Sequence, residues 1–299
     1  MSEIPDAALE QRVAERMQTR PVAFRPAAGG YTAAKRGIVT FEDGRSAFLK
    51  AAVSEETADW LRAEYAVYRY LGAAGADFLP RVLAWDDDGA QPILLLEDLS
   101  AAHWPPPWEP GHAARVAETL SRLRRVPPMP GMATLEAYRD DFSGWRKVAA
   151  DPGPFLSVGL CTAAWLDAAL PGLQAAEQAL RLDGTDFLHL DIRSDNVCFT
   201  PERTILVDWN WACTGNGQVD LAAWLPSLHA EGGPAPETFL PHAPEPAAAL
   251  SGFWAARAGL PDRDPRMRHL NVFQLRTALP WAARAVGLDA SGLLKGINT

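Results

Sequence analysis

Hydrophobic positions follow two different rhythms along this chain. In the first hundred residues they come as short runs broken by turn residues. Arg36–Phe41 and Arg45–Lys50 flank Asp43-Gly44, a strong hairpin signal. Val82–Trp85 and Pro92–Leu96 flank an Asp-Asp-Asp-Gly turn at 86–89 and read as a second hairpin. Between the hairpins, residues 55–72 carry apolar side chains at helical spacing, and residues 3–18 form a charged, weakly amphipathic helix. A rigid Pro-rich connection at 101–108 ends this regime. Beyond it the helical period dominates, at about 112–125, 134–149, 161–181, 219–229, 245–258 and 266–286. Short apolar strands at 187–208 interrupt the helices. The expected fold is α+β in two lobes: a small β-rich lobe over 1–98 and a mainly helical lobe over 99–299. A cleft between two such lobes is where a ligand is expected.

The interruption holds the most informative residues. Phe187-Leu-His189-Leu-Asp191 runs from an apolar strand into a polar loop that reaches Asn196. A second strand, a turn at 200–203 and a third strand then lead to Asp208-Trp209. His-x-Asp followed at fixed distance by Asn, with an Asp after the next strand, is the catalytic-loop spacing of kinases. The chemistry explains the residue types. Phosphoryl transfer needs an acceptor hydroxyl held in line and charge stabilised on the moving group. Asp191 would accept the hydroxyl proton. Asn196 and Asp208 offer hard oxygens suited to Mg2+. His189 points away from Asp191 on an extended backbone and is expected to brace the loop. Arg193 would stabilise charge on the transferred phosphate. A lone Asp-x4-Asn is usually a turn, because both residues bond their own backbone. Here the flanking strands, His189 and Asp208 coincide with it.

The β-rich half supplies partners for that chemistry. Lys50 ends an apolar strand. Glu64 shares a helical stripe with Trp60, Leu61, Tyr68 and Leu71, which places a carboxylate on the buried face. Such a carboxylate is costly unless paired, and Lys50 is its natural partner. A strand Lys held by a helix Glu grips nucleotide phosphates in kinases. Gly29-Gly30 would let a loop approach those phosphates, although no GxGxxG or Walker pattern surrounds them. Leu94–Glu97 runs into the connection, where main-chain groups of Glu97 and Leu99 would meet an adenine edge. Asp220 is placed to cap the next helix and to support the active-site loops.

Composition narrows the classes. The chain has 299 residues, 48% apolar and 22% charged, enough for a sizeable core. A net charge of −9 argues against a basic nucleic-acid-binding face and favours a cationic or neutral acceptor. Three cysteines without a CxxC pair argue against a disulfide framework or a zinc site. No signal-peptide core and no membrane-length apolar run appears, so a cytoplasmic enzyme is expected.

From about Lys35 to Trp224 the chain resembles the aminoglycoside phosphotransferase and choline-kinase-like small-molecule kinases. The resemblance rests on Phe48-Leu-Lys50, Glu64, Leu94–Leu99, His189-Leu-Asp191 through Asn196, Val207-Asp208-Trp209 and Asp220-Leu-Ala. It implies a protein-kinase-like fold and dependence on Mg2+ with ATP or GTP. By matching position it implies Asp191 as base, Asn196 and Asp208 on the metal, and Lys50 on phosphate. Members of that family often read His-Gly-Asp where this chain has His-Leu-Asp, His or Lys at Arg193, and Pro-Gly at Ser194-Asp195. A larger residue beside the base is expected to narrow the acceptor pocket.

The acceptor would be a small hydroxyl compound such as an aminoglycoside, an amino alcohol or a sugar, bound by the helical half. Trp209, Trp211, Trp224, Trp254 and Trp281 are candidates for stacking on it, although most Trp side chains are core. Two readings compete. A protein kinase needs room for an activation segment, yet only eleven residues separate Asp208 from Asp220. A catalytically inactive nucleotide-binding module has no need to keep Lys50, Asp191, Asn196 and Asp208 together.

Overall fold

A computed structural model describes residues 6–27, 34–261, 264–289 and 291–293. Chain contacts group Met1–Trp104 with Asn196–Trp211, and Pro105–Asp195 with Ala212–Thr299. A boundary at 98–99 places 196–211 in the helical half, whereas the contacts group it with the first unit. Among the described residues, no helix is long and apolar enough to cross a membrane.

In the first unit, α1 (Ala7–Met17) precedes three strands, β1 (Pro21–Pro26), β2 (Lys35–Phe41) and β3 (Ser46–Ala51). The long α2 (Glu55–Ala73) follows, then β4 (Val82–Asp86) and β5 (Ile93–Glu97). Asp43-Gly44 closes the β2–β3 hairpin as expected: Gly44 has φ +83° and donates its N–H to the Phe41 carbonyl at 3.0 Å. All five strands form one antiparallel sheet in the order β1-β2-β3-β5-β4. β1 was not foreseen. Prolines bracket it and demote it as a strand, and the structure uses it at the sheet edge, where a missing N–H costs little. Strand alternation then sorts the side chains. Ala47, Leu49 and Ala51 of β3 join Leu9, Val13 and Met17 of α1 in one core, so Lys50 falls on the opposite face.

In the second unit, α3 (His112–Leu123) is followed by α4 (Gly144–Ala150), α5 (Gly153–Leu156) and α6 (Ala163–Ala179). Then come β6 (Asp186–Leu188), the β7 (Val197–Phe199) and β8 (Thr204–Leu206) hairpin that belongs to the first unit, β9 (Cys213–Gly215), α7 (Gly217–Ala230), α8 (Pro244–Ala258) and α9 (Pro265–Ala285). β9 was not foreseen either. It pairs with β6 over Asp186–Leu188 and Cys213–Gly215, too short a span to show a strand period.

The helix expected over 134–149 is instead a 3-10 turn at Leu135–Tyr138 followed by α4. Gly144 begins α4 pressed against α8, and a Cβ there would lie 1.9 Å from the Gly252 carbonyl oxygen. The backbone at that point packs directly on α8. The new N-terminus is capped from a distance by Glu177 of α6, which accepts the N–H groups of Trp145 at 2.8 Å and Arg146 at 3.3 Å.

Candidate active site

Lys50 of β3 is the hub of the first unit's polar cluster. Its Nζ donates to Glu64 Oε1 at 2.7 Å, to Glu64 Oε2 at 2.8 Å and to Asp208 Oδ1 at 3.0 Å. Lys50 is 7% exposed and Glu64 1% exposed, so this is a buried ion pair. Tyr68, one helical turn beyond Glu64, donates its hydroxyl to Glu64 Oε1 at 3.1 Å and accepts the Asp208 N–H at 3.4 Å. Burial alone would lower the Lys50 ammonium, but the Glu64 and Asp208 carboxylates outweigh it and hold its pKa above the usual value. Burial pushes the Glu64 carboxyl up, with Lys50 and Tyr68 opposing. Arg36, paired with Lys50 across β2–β3, lines the same shallow pocket, as do Thr57, Asp208 and Asn210. Trp60 also lines it and is 39% exposed, which corrects the expectation that it shares the buried stripe. Helical spacing gives direction, not depth.

The β7–β8 hairpin is fastened to this unit by backbone and side chain. His103 and Phe199 exchange both backbone hydrogen bonds at 2.9 Å, and Leu206 donates its N–H to the Phe78 carbonyl at 2.9 Å. Val207 donates its N–H to the Asn196 carbonyl at 3.0 Å, which brings Asn196 and Asp208 to the same end of the hairpin. Asp208 has φ +67°, a left-handed turn residue, and Asn196 is 4% exposed. Glu97 is held by its side chain. Oε2 accepts the Arg81 N–H at 3.0 Å and Oε1 accepts from Arg203 at 2.8 Å, while the Glu97 N–H is spent on the Arg81 carbonyl. The Leu99 carbonyl accepts from the Ala102 N–H and from Trp104 Nε1, each at 3.0 Å. Gly29 and Gly30 lie outside the described residues.

The second unit carries the loop with Asp191. Asp220 does not cap α7. Asn216 does, accepting the Gln218 N–H at 3.0 Å. Asp220, 1% exposed, instead turns to the loop and accepts the N–H of His189 at 3.0 Å and of Leu190 at 2.8 Å. Burial raises its pKa, with those two donors and Arg124 opposing. The fully buried His189 accepts the Asp191 N–H on Nδ1 at 3.3 Å, so the two residues clamp the loop from either side. Leu190 between them has φ +63°. Arg193 ion-pairs with Asp191 and binds both oxygens of Asp195 at 3.0 Å. Ser194 Oγ donates to Glu231 Oε1 at 2.6 Å, and Trp108 Nε1 holds the other Glu231 oxygen at 2.8 Å.

Tyr68, Asn210, Ser194 and Glu231 were not singled out by sequence for these contacts. Tyr68 was legible only as apolar stripe. Asn210 had one signal, its position two residues beyond Asp208 between two tryptophans. Of the tryptophans, Trp209, Trp224, Trp254 and Trp281 are core, whereas Trp211 is 51% exposed.

Residues 23–247, well over half of the chain, match the model of the phosphotransferase enzyme family. Among solved structures, a choline/ethanolamine kinase family protein from Mesorhizobium loti is similar at 18% identity and TM-score 0.57, over 93% of this chain and 97% of that one. An aminoglycoside-3'-phosphotransferase of type VIII is similar at 21% identity and TM-score 0.52, over 91% and 98%. A macrolide 2'-phosphotransferase of type I is similar at 19% identity and TM-score 0.52, over 97% and 95%. These likenesses establish a kinase-like fold. No curated protein sequence matches the chain.

Proposed function

The chain belongs to the phosphotransferase enzyme family, and from that premise we propose that it transfers the γ-phosphoryl group of Mg-ATP or Mg-GTP to a hydroxyl of a small molecule in the cytoplasm. The observation that carries the reading is the buried Lys50 ammonium shared between Glu64 and Asp208. Such an ammonium, held at fixed height by a buried carboxylate, is a phosphate grip. The residues fit a divalent cation. Lys50, Glu64 and Asp208 sum to one net negative charge, and Asp208 and Asn196 present hard oxygens at one hairpin end. Asp208 and Asn196 would hold the ion, which would neutralise charge on the nucleotide phosphates.

The remaining roles belong to the chain itself. The Glu97 carbonyl and Leu99 N–H would read the nucleobase as an acceptor–donor pair. Gly29 and Gly30 would cover the phosphates. Asp191 would take the proton from the acceptor hydroxyl, with its loop held by Asp220 and His189. Arg193, now paired with Asp191, would shift to the transferred phosphoryl group when substrate arrives. The net charge of −9 favours an acceptor carrying an amine.

The test is a coupled assay of nucleotide consumption over aminoglycosides, amino alcohols and sugars, with wild type and Asp191→Asn side by side. Acceptor-dependent turnover should vanish in the variant while Mg-nucleotide affinity stays. Full turnover by Asp191→Asn would remove it as base. Nucleotide binding without turnover on any acceptor would make the chain a binding module instead.

A further inference from the structure

Asn210 carries an unexplained polar atom. Its Nδ2 donates to Asp208 Oδ1 at 2.8 Å. A carboxylate only accepts, so this contact fixes which amide atom is nitrogen and which is oxygen. Oδ1 must then face elsewhere. It is buried and has no hydrogen-bond partner among the described residues. A buried carbonyl left in that state is costly, and native structures rarely keep one without a ligand, an ion or a water to meet it.

Its surroundings restrict what can meet it. Asn210 lines the pocket that also holds Arg36, Lys50, Glu64 and Asp208. Lys50 is committed to three carboxylate oxygens, so its protons are already placed. A phosphate oxygen would repel the amide oxygen, since both are acceptors. A small hard cation is attracted to it, because an amide oxygen is a hard donor. The backbone keeps the pair together. Trp209, between them, is 1% exposed and anchors its Nε1 on the Leu206 carbonyl at 3.2 Å. That anchor holds the Asp208–Asn210 turn in place.

We propose that Asn210 Oδ1 is a ligand of the divalent cation, so that Asp208 and Asn210 chelate it together as an Asp-x-Asn pair. The inference rests on the metal–nucleotide reading above and adds a donor to it. In the metal-free chain the Asn210 amide instead steadies the Asp208 carboxylate against Lys50.

The test measures Mn2+ binding, by electron paramagnetic resonance, to the full chain saturated with a non-hydrolysable ATP analogue. Asn210→Ala should weaken Mn2+ binding about tenfold or more, a larger loss than any in metal-free nucleotide affinity, which feels only the lost contact to Asp208. Asn210→Asp, which keeps an oxygen in place, should bind Mn2+ at least as tightly as wild type and serves if the alanine variant does not fold. Asp208→Ala separates the two layers of the argument. Loss of Mn2+ in Asp208→Ala with wild-type binding in Asn210→Ala would overturn the Asn210 ligand alone, leaving a water at that oxygen. Wild-type binding in Asp208→Ala would overturn the metal site itself. A loss of metal-free nucleotide binding in Asn210→Ala as large as its loss of Mn2+ binding, or weaker Mn2+ binding in Asn210→Asp, would make Asn210 a support for Asp208 rather than a ligand.

Discussion

Leu190 sits in the loop between His189 and Asp191 with φ +63°, a region that a residue with a Cβ enters at a cost of about 1–2 kcal/mol. Asp220 enforces the conformation by accepting both the His189 and Leu190 N–H groups. The side chain returns part of the cost by packing against the second unit's core, where a half-buried leucine contributes roughly 1 kcal/mol. Leu190→Ala removes the packing and keeps the strain. Leu190→Gly removes both, but adds about 0.5–1 kcal/mol of unfolded-chain entropy. Gly should therefore be the more stable of the two variants by roughly 0.5–1 kcal/mol, whereas at an ordinary helix or strand position it is less stable than Ala by a similar amount. Urea unfolding followed by tryptophan fluorescence reads the difference directly. A glycine variant less stable than the alanine variant would refute the strain argument.

Three further outcomes follow from carboxylates and the groups that hold them. Burial pushes the Glu177 pKa up to about 7, with the Trp145 and Arg146 N–H groups opposing. A raised folded pKa contributes stability that is complete below the unfolded value of 4.5 and is lost as pH climbs through 7. Wild type should thus lose up to about 3 kcal/mol between pH 4.5 and 8 from this group; Glu177→Gln cannot ionise and should lose less, and parallel stability–pH curves would count against the assignment. Glu64→Gln leaves the buried Lys50 with Asp208 as its one carboxylate partner among the described residues and should destabilise by about 1–3 kcal/mol; an unchanged urea midpoint would show that the pair is not buried as described. Ser194→Ala frees the Asp191 loop from Glu231 and should lower kcat more than it raises KM, with about 1–2 kcal/mol of stability lost; a pure KM effect would place Ser194 on the acceptor instead.

How much of this was legible depends on the range over which each feature is determined. The β2–β3 and β4–β5 hairpins and α2 are local: each lies within fewer than twenty residues of chain, inside one Gly turn with its alternation or one helical stripe. The Lys50–Glu64 contact was readable because a carboxylate on a buried stripe needs a cation and the preceding strand ends in one. Trp60 shows the limit, since the same stripe reaches the edge of a pocket and leaves it exposed. The broken 134–149 helix and the unforeseen β9 depend on partners far along the chain, Gly252 and Glu177 for one and β6 for the other. Sequence periods do not contain those partners. Asp220 makes the same point chemically. Its place in the first turn of α7 suggests a cap, but a neighbour, Asn216, already fills that role. That leaves a buried carboxylate with no local donor to accept from, and it finds two in the loop beside Asp191. The departure from His-Gly-Asp then becomes intelligible. With two backbone donors pinned by Asp220 and a third held by His189, the loop is fixed by its neighbours and no longer depends on glycine's freedom to reach φ +63°. A leucine is tolerated there because the surrounding hydrogen bonds, rather than the residue's own preference, set the backbone.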